Sequence, residues 1–260
     1  MNDGDKTVLA VGAHPDDVEF MCAGTLALLK EKGYRIQIGI VASGDCGTIV
    51  ESRDAISRIR YAEAKAAAEM LGAGLDVLGE QDLRIYLNDR TFMRVTELIR
   101  ETRPAIVFTH PHDDYMTDHE SVSRLVKGAC FACSVPNFYT EAANPSPPCD
   151  HVPWLYYWAP LEGRNRYGDL VPQRILVDIG RVIDFKADML ACHKSQREWL
   201  LEQHGMDMYI ETMRTTAREY GETCGVEHAE GFMQHRGNAY PRKNVLKETL
   251  GPAVVEMEWS

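Results

Sequence analysis

Two hydrophobic rhythms alternate along the first half of the chain. Thr7 to Val11 is a short apolar run and reads as a buried strand. Thr25 to Lys32 sets leucines on one helical face and stops at Gly33. Arg35 to Ala42 alternates and is rich in isoleucine, which predicts a second strand. Ile56 to Leu71 is a helix with an alanine-rich face, ended by Gly72, and Asp76 to Leu78 is a short strand. Thr91 to Thr102 is a helix ended before Pro104; Ala105 to Thr109 is another buried strand; Glu120 to Cys133 is a helix. Later, strands are predicted at Trp154 to Trp158 and Ile175 to Ile179, and helices at Val182 to His204 and Met208 to Thr223. The proline-rich stretch Pro136 to Pro153 reads as a long surface loop that shapes a substrate pocket.

Strand and helix alternating at these lengths imply a parallel sheet with right-handed crossovers. The expected architecture is α/β: a Rossmann-like, three-layer fold with a mostly parallel sheet and a C-terminal extension. No linker divides the chain, so residues 1–260 are expected to form a single domain.

Composition narrows the class. With 45% apolar and 26% charged residues, the chain is expected to fold as an ordinary globular protein rather than stay disordered. No apolar run reaches the roughly 18 residues a membrane helix needs, and the polar, acidic start does not resemble a secretory signal. Seven cysteines without framework spacing read as reduced thiols, which places the protein in the cytoplasm. A formal net charge of −11 disfavours nucleic acid and membrane surfaces as partners. The partner expected is a small molecule.

In an open parallel sheet, ligands bind beyond the carboxyl ends of the strands. Two segments there are unusual. After the first strand comes Ala13-His14-Pro15-Asp16-Asp17-Val18-Glu19-Phe20; after the strand ending near Thr109 comes His110-Pro111-His112-Asp113-Asp114-Tyr115-Met116-Thr117-Asp118-His119. His14 and Asp17 are three apart across a turn stiffened by Pro15, and His119 completes a set of two imidazoles and one carboxylate. Three protein ligands that leave a position for water are the pattern of a catalytic zinc site; Fe²⁺ suits the same donors. Asp16 lies between the two proposed ligands and suits a general base. Asp118 suits a carboxylate that orients a neighbouring imidazole. Either segment alone reads as well as a loop with an acidic helix cap; together, each after a predicted parallel strand, they favour chemistry.

These residues, with Gly24-Thr25, Arg60-Tyr61-Ala62-Glu63-Ala64, Cys192-His193-Lys194-Ser195-Gln196 and Ala229-Glu230-Gly231-Phe232, resemble the PIG-L/LmbE-like family of zinc-dependent de-N-acetylases over nearly the whole chain. That family removes acetyl from N-acetylglucosamine joined to phosphatidylinositol, to inositol or malate, or to a second sugar. The resemblance implies metal ligands His14, Asp17 and His119, a metal-bound water as nucleophile, a general base at Asp16, and a substrate-contacting Arg60. It also implies an amino-sugar conjugate as substrate and a homotrimer or homohexamer. The family's second motif usually reads His-Pro-Asp-His, and here its first histidine is replaced by Met116. His228 is the candidate substitute, with His112 and His193 behind it.

Other features stay open or bland. Asp82 reads equally as a holder of a sugar hydroxyl or a turn cap, and Cys130 and Cys133 read as small core residues. Trp154, Tyr156, Tyr157 and Trp158 read as core plus an oligomer face, with a sugar-stacking platform as the rival. A nucleotide-dependent oxidoreductase would show glycines where Gly12-Ala13-His14-Pro15-Asp16-Asp17 stands. An amidase acting on a related thiol or sugar conjugate, or a metal-binding protein without turnover, remain as alternatives.

Overall fold

The computed structural model describes residues 6–197 and 208–258. Its eight-stranded sheet runs β3-β2-β1-β4-β5-β7-β6-β8. The strands are β1 (Thr7–Gly12), β2 (Arg35–Ala42), β3 (Gly74–Glu80), β4 (Ile106–Thr109), β5 (Trp154–Trp158), β6 (Ile175–Asp178), β7 (Ala229–Gln234) and β8 (Val254–Glu256). The pairs from β3 across to β5 are parallel, and β7, β6 and β8 add antiparallel pairs. That is the mostly parallel α/β sheet with a C-terminal extension that the pattern predicts.

The helices are α1 (Asp17–Glu31), α2 (Arg53–Leu71), α3 (Asp89–Thr102), α4 (Thr117–Ala132), α5 (Ile183–Leu190), α6 (Met208–Cys224) and α7 (Val245–Leu250). Every residue of β1 is buried, as expected of a strand covered on both faces. Its alternate side chains feed two cores. Val8 and Ala10 face a core with α1, α2, α5 and α6, while Leu9 and Val11 face one with α3 and α4. The chain leaves β1 for β2 on one side and later returns to β4 on the other. The strand order therefore reverses between β1 and β4, where an open α/β sheet splays a crevice at the strands' carboxyl ends.

Several boundaries differ from the predicted ones for identifiable reasons. α1 begins at Asp17 rather than Thr25. Residues 18 through 29 of this helix are all buried, so no polar face marks its first turns in the sequence. The helix predicted over Val182 to His204 is interrupted after Leu190 and resumes over residues 194–197. There Cys192 N–H donates to Met189 O and His193 N–H to Leu190 O, the tight i to i+3 pattern that closes a helix. The far part of that prediction, with His204, lies outside the described residues. β7 escaped notice because Glu230 and Gly231 at its centre are poor strand formers. The Pro136 to Pro153 segment is a loop as expected, but it packs beside α3, where Ser146 N–H donates to Glu97. None of its residues lines the cavity over the histidine-rich crevice described below.

Candidate metal centre and its cavity

Both histidine-rich segments arrive at the β1/β4 crevice, and Asp17 is their meeting point. Its carboxylate reaches back to accept the His14 N–H at 2.7 Å. That turn needs Gly12, where a Cβ would stand 2.9 Å from the Asp17 Cβ. The His14 Nδ1 lies 3.6 Å from Asp17 Oδ2, and the His119 Nε2 lies 3.4 Å from Asp17 Oδ1. One donor atom each from His14, Asp17 and His119 falls within 4.8 Å of the other two.

Each imidazole is braced through its remaining nitrogen. His14 Nε2 sits 3.1 Å from Asp118 Oδ2, and His119 Nδ1 sits 3.0 Å from Asp114 Oδ1. Asp118 is held in turn by the N–H groups of Leu83 (2.6 Å) and Ile85 (3.4 Å). A carboxylate behind each imidazole fixes the ring and raises its basicity, the arrangement that metal-binding histidines adopt. Sequence adjacency suggested that Asp118 serves a neighbouring ring; the fold gives it to His14, 104 positions away. Asp114, which the sequence reading left without a role, serves His119.

The electrostatics agree with this geometry. Burial alone would lower the His14 and His119 pKa values, but the surrounding carboxylates outweigh it and raise them to about 9 and about 10. Burial works against ionisation of Asp17, yet His119 and His110 hold its carboxyl well below the usual range. The centre therefore attracts positive charge.

His110 stacks on His119 with ring centroids 4.0 Å apart, and burial pushes its pKa down to about 4, so it is neutral. The Ala13 N–H donates to its Nε2 at 3.0 Å. The same nitrogen lies 3.1 Å from Asp17 Oδ2. His110, Asp114 and His119 form a second cluster of possible ligands. It is the weaker one, because Asp114 and the His110 Nε2 are already engaged.

Asp16 adopts φ 107° and ψ −26°, a conformation that costs an L-residue roughly 1–3 kcal/mol. Tyr209 donates to its Oδ2 at 2.6 Å and Arg60 at 3.2 Å. Burial raises the Asp16 pKa, and Arg60 opposes that rise. Arg60, expected to touch substrate, is only 4% exposed and also donates to Pro15 O at 2.6 Å. It stands behind Asp16 against the Gly44 and Gly47 backbone, so it orients the carboxylate instead of lining the cavity.

A cavity of about 370 Å³ opens over this group. Asp16, Asp17, His110, Asp114 and His119 line its polar side, and Phe20, Trp158 and Tyr209 are among its aromatic walls. Trp158 packs edge-on against His110, so one residue of the aromatic strand joins the site while its neighbours fill the core.

His228 does not reach this cavity. It precedes β7, with its backbone O accepting from Ile179 N–H, two strands from β4. His112 is turned to Ser123 Oγ, and His193 is buried beside Glu19. Among the described residues, His110 is the only cavity-lining histidine besides His119. Asp82 takes the turn-capping role, accepting the N–H groups of Gly44 and Cys46.

The remaining signature residues brace the site. Ser195 donates through both N–H and Oγ to Glu63, and Gln196 donates to Gly47 O and lines the cavity. Glu230 accepts the Gly24 and Thr25 N–H groups and pairs with Lys186 at 2.6 Å. The separated sequence signatures thus lock α1, α2 and α5 around Asp16 and Asp17. Tyr209 and Asp114 were missed by the sequence reading; the only signal for Asp114 was its place within the second histidine-rich segment.

Fold and site together define a doubly wound α/β protein with a two-histidine, one-carboxylate centre at its strand switch point. The chain belongs to the PIG-L family, whose model, described as GlcNAc-PI de-N-acetylase, matches residues 9–130. It is 32% identical over 132 residues to an uncharacterised deacetylase of Escherichia coli, covering 48% of this chain and 68% of that protein. It is 28% identical over 252 residues to the 4-oxalmesaconate hydratase of Pseudomonas putida, covering 93% and 92% respectively. The fold is shared with the N,N'-diacetylchitobiose deacetylase of Pyrococcus horikoshii, with a TM-score of 0.74 and 23% identity over 92% of this chain and 88% of the other.

Proposed function

We propose that this protein is a divalent-metal-dependent hydrolase that removes the acetyl group from an N-acetylglucosamine-type conjugate. The observation that carries this reading is the carboxylate-braced set of His14, Asp17 and His119 beside a strained, half-buried Asp16. These donors fit a divalent cation of the zinc type, with Fe²⁺ accepted by the same set. Such an ion supplies Lewis acidity toward the acetamide carbonyl and toward water.

The chain's own residues do the rest. Burial raises the Asp16 pKa, which suits a group that takes a proton from attacking water and returns it to the departing amine. Arg60 and Tyr209 hold that carboxylate in place. The aromatic walls exclude water and offer flat faces to a sugar ring. Met116, at the start of α4, offers no donor to developing negative charge; such a donor is worth about 2.7–4 kcal/mol elsewhere. The reading includes a single domain assembling as a homotrimer or homohexamer in the cytoplasm. Exposed Ile49, Val50, Leu83, Tyr86 and Leu87 on the loops after β2 and β3 support the assembly.

A second reading is addition of water to an unsaturated carboxylate, favoured by the long match to the hydratase. Against it, no lysine or arginine is among the described residues lining the cavity to receive carboxylates. Acetate release from N-acetylglucosamine conjugates, measured for wild type, Asp16→Asn and chelator-treated protein, tests the proposal. Release that needs both metal and Asp16 sustains it. Hydration of an unsaturated dicarboxylate without acetate release from any conjugate replaces it with the second reading.

A further inference from the structure

The four carboxylates lining the cavity are not equivalent. Asp17 belongs to the metal-ligand set, Asp16 is held by Arg60 and Tyr209, and Asp114 is held by His119. Glu162 also lines the cavity, yet it makes no hydrogen bond or ion pair among the described residues. It is exposed, whereas His119 and the Asp17 carboxylate are buried or nearly so, which puts Glu162 at the mouth.

Its position is built. The turn Leu161–Gly163 holds Glu162 at φ 58°, in the left-handed region that an L-residue rarely adopts. Gly163 pins that turn: its N–H donates to Pro160 O at 2.8 Å, and its O accepts from Val171 N–H at 2.7 Å. Tyr220 packs so close that a Cβ on Gly163 would lie 2.9 Å from its ring. Tyr115, 65% exposed, is within electrostatic reach of the Glu162 charge.

We infer that Glu162 sets the substrate class: the cavity selects conjugates whose end remote from the acetamide is uncharged or cationic, and rejects those with an anionic aglycone. This rests on the proposed deacetylase reading for the acetamide end, but the charge preference is a property of the mouth alone. A neutral sugar or an amine-bearing aglycone gains a hydrogen-bond or ionic partner in Glu162. A carboxylate or phosphate there meets a fixed like charge.

The test is binding by calorimetry to the Asp16→Asn protein, which retains the mouth and does not consume ligand. Three probes are compared: N,N'-diacetylchitobiose, a 2-aminoethyl N-acetylglucosaminide and N-acetylglucosaminyl malate. The neutral and cationic probes should bind at least about fivefold more tightly than the malate conjugate, what one charge at a partly solvated mouth is worth. Glu162→Gln should erase most of that ratio, and Glu162→Lys should reverse it. With Glu162 in place the ratio should fade between low and molar salt, because exposed charges are screened. With Asp16 restored, the same substitutions should move KM and leave kcat within about twofold. A malate conjugate that binds as well as the neutral probe, or a ratio that Glu162→Lys does not move, overturns the inference. Acetate release is scored separately: preferential binding of the neutral probe without release from any probe sustains the charge selection and overturns the hydrolytic reading. A panel in which nothing binds overturns both.

Discussion

Lys186 and Glu230 form an ion pair 2.6 Å long, with side chains 3% and 2% exposed. Glu230 also accepts the Gly24 and Thr25 N–H groups at 2.9 and 2.7 Å, so the pair ties α5 and β7 to the helix that begins with Asp17. Lys186→Met leaves a buried carboxylate with only backbone donors. Glu230→Gln leaves a buried ammonium facing a neutral amide. Removing one partner of such a pair costs about 3–5 kcal/mol, a large share of the roughly 5–15 kcal/mol that stabilises a domain. Removing both charges together costs less than the sum, because neither variant then strands its partner. The expected coupling in a double-mutant cycle is therefore about 2 kcal/mol or more. Urea unfolding of wild type, both single variants and the double variant measures it, with unchanged slopes confirming that midpoints report stability. Single losses below about 1 kcal/mol, or additivity within about 0.5 kcal/mol, would refute the argument that this pair is a desolvated unit.

Asp118→Asn removes the charge behind His14 while keeping an oxygen for the Leu83 N–H; zinc affinity by chelator competition should fall about 10- to 100-fold with little change in melting temperature. Because His14 and His119 have pKa values raised to about 9 and about 10, both are protonated at pH 7 in the metal-free protein and must be neutral to bind metal. Zinc uptake at pH 7 should release about two protons, and apparent affinity should climb as pH rises; release of none, by pH-stat titration, would contradict the assignment. His228→Ala should leave acetate release within about twofold of wild type, since the side chain does not line the cavity; a loss of tenfold or more at unchanged melting temperature would return His228 to the site. Gly24→Ala should destabilise the fold by about 1–3 kcal/mol in urea, because its Cβ would stand 2.8 Å from Ile179 and 3.0 Å from Glu230.

Residues near one another in sequence were the legible part. The strand Arg35–Ala42 and the strand Trp154–Trp158 fall on their predicted limits, because period-two patterning and apolar runs are local signals. Gly72 closes α2 at φ 61°, as its chemistry requires. Likewise His14 and Asp17 come together within one turn, and the placement of two histidine-rich segments after parallel strands was enough to locate a crevice. Those parts depend on backbone preferences and on side chains a few positions apart, which a chain carries before it folds.

What only the tertiary structure decided are pairings across the chain. Asp118 serves His14 rather than its sequence neighbour, Tyr209 reaches Asp16 across 193 positions, and Arg60 turns behind Asp16 and away from the cavity. His228 carries the right chemistry but emerges two strands too far along the sheet. The Gly24-Thr25 and Ala229-Glu230 signatures meet only because β7 inserts between β5 and β6. Strand order and helix packing follow from how the two cores fill, a sum over many weak contacts, so no single residue announces which distant partner it will meet.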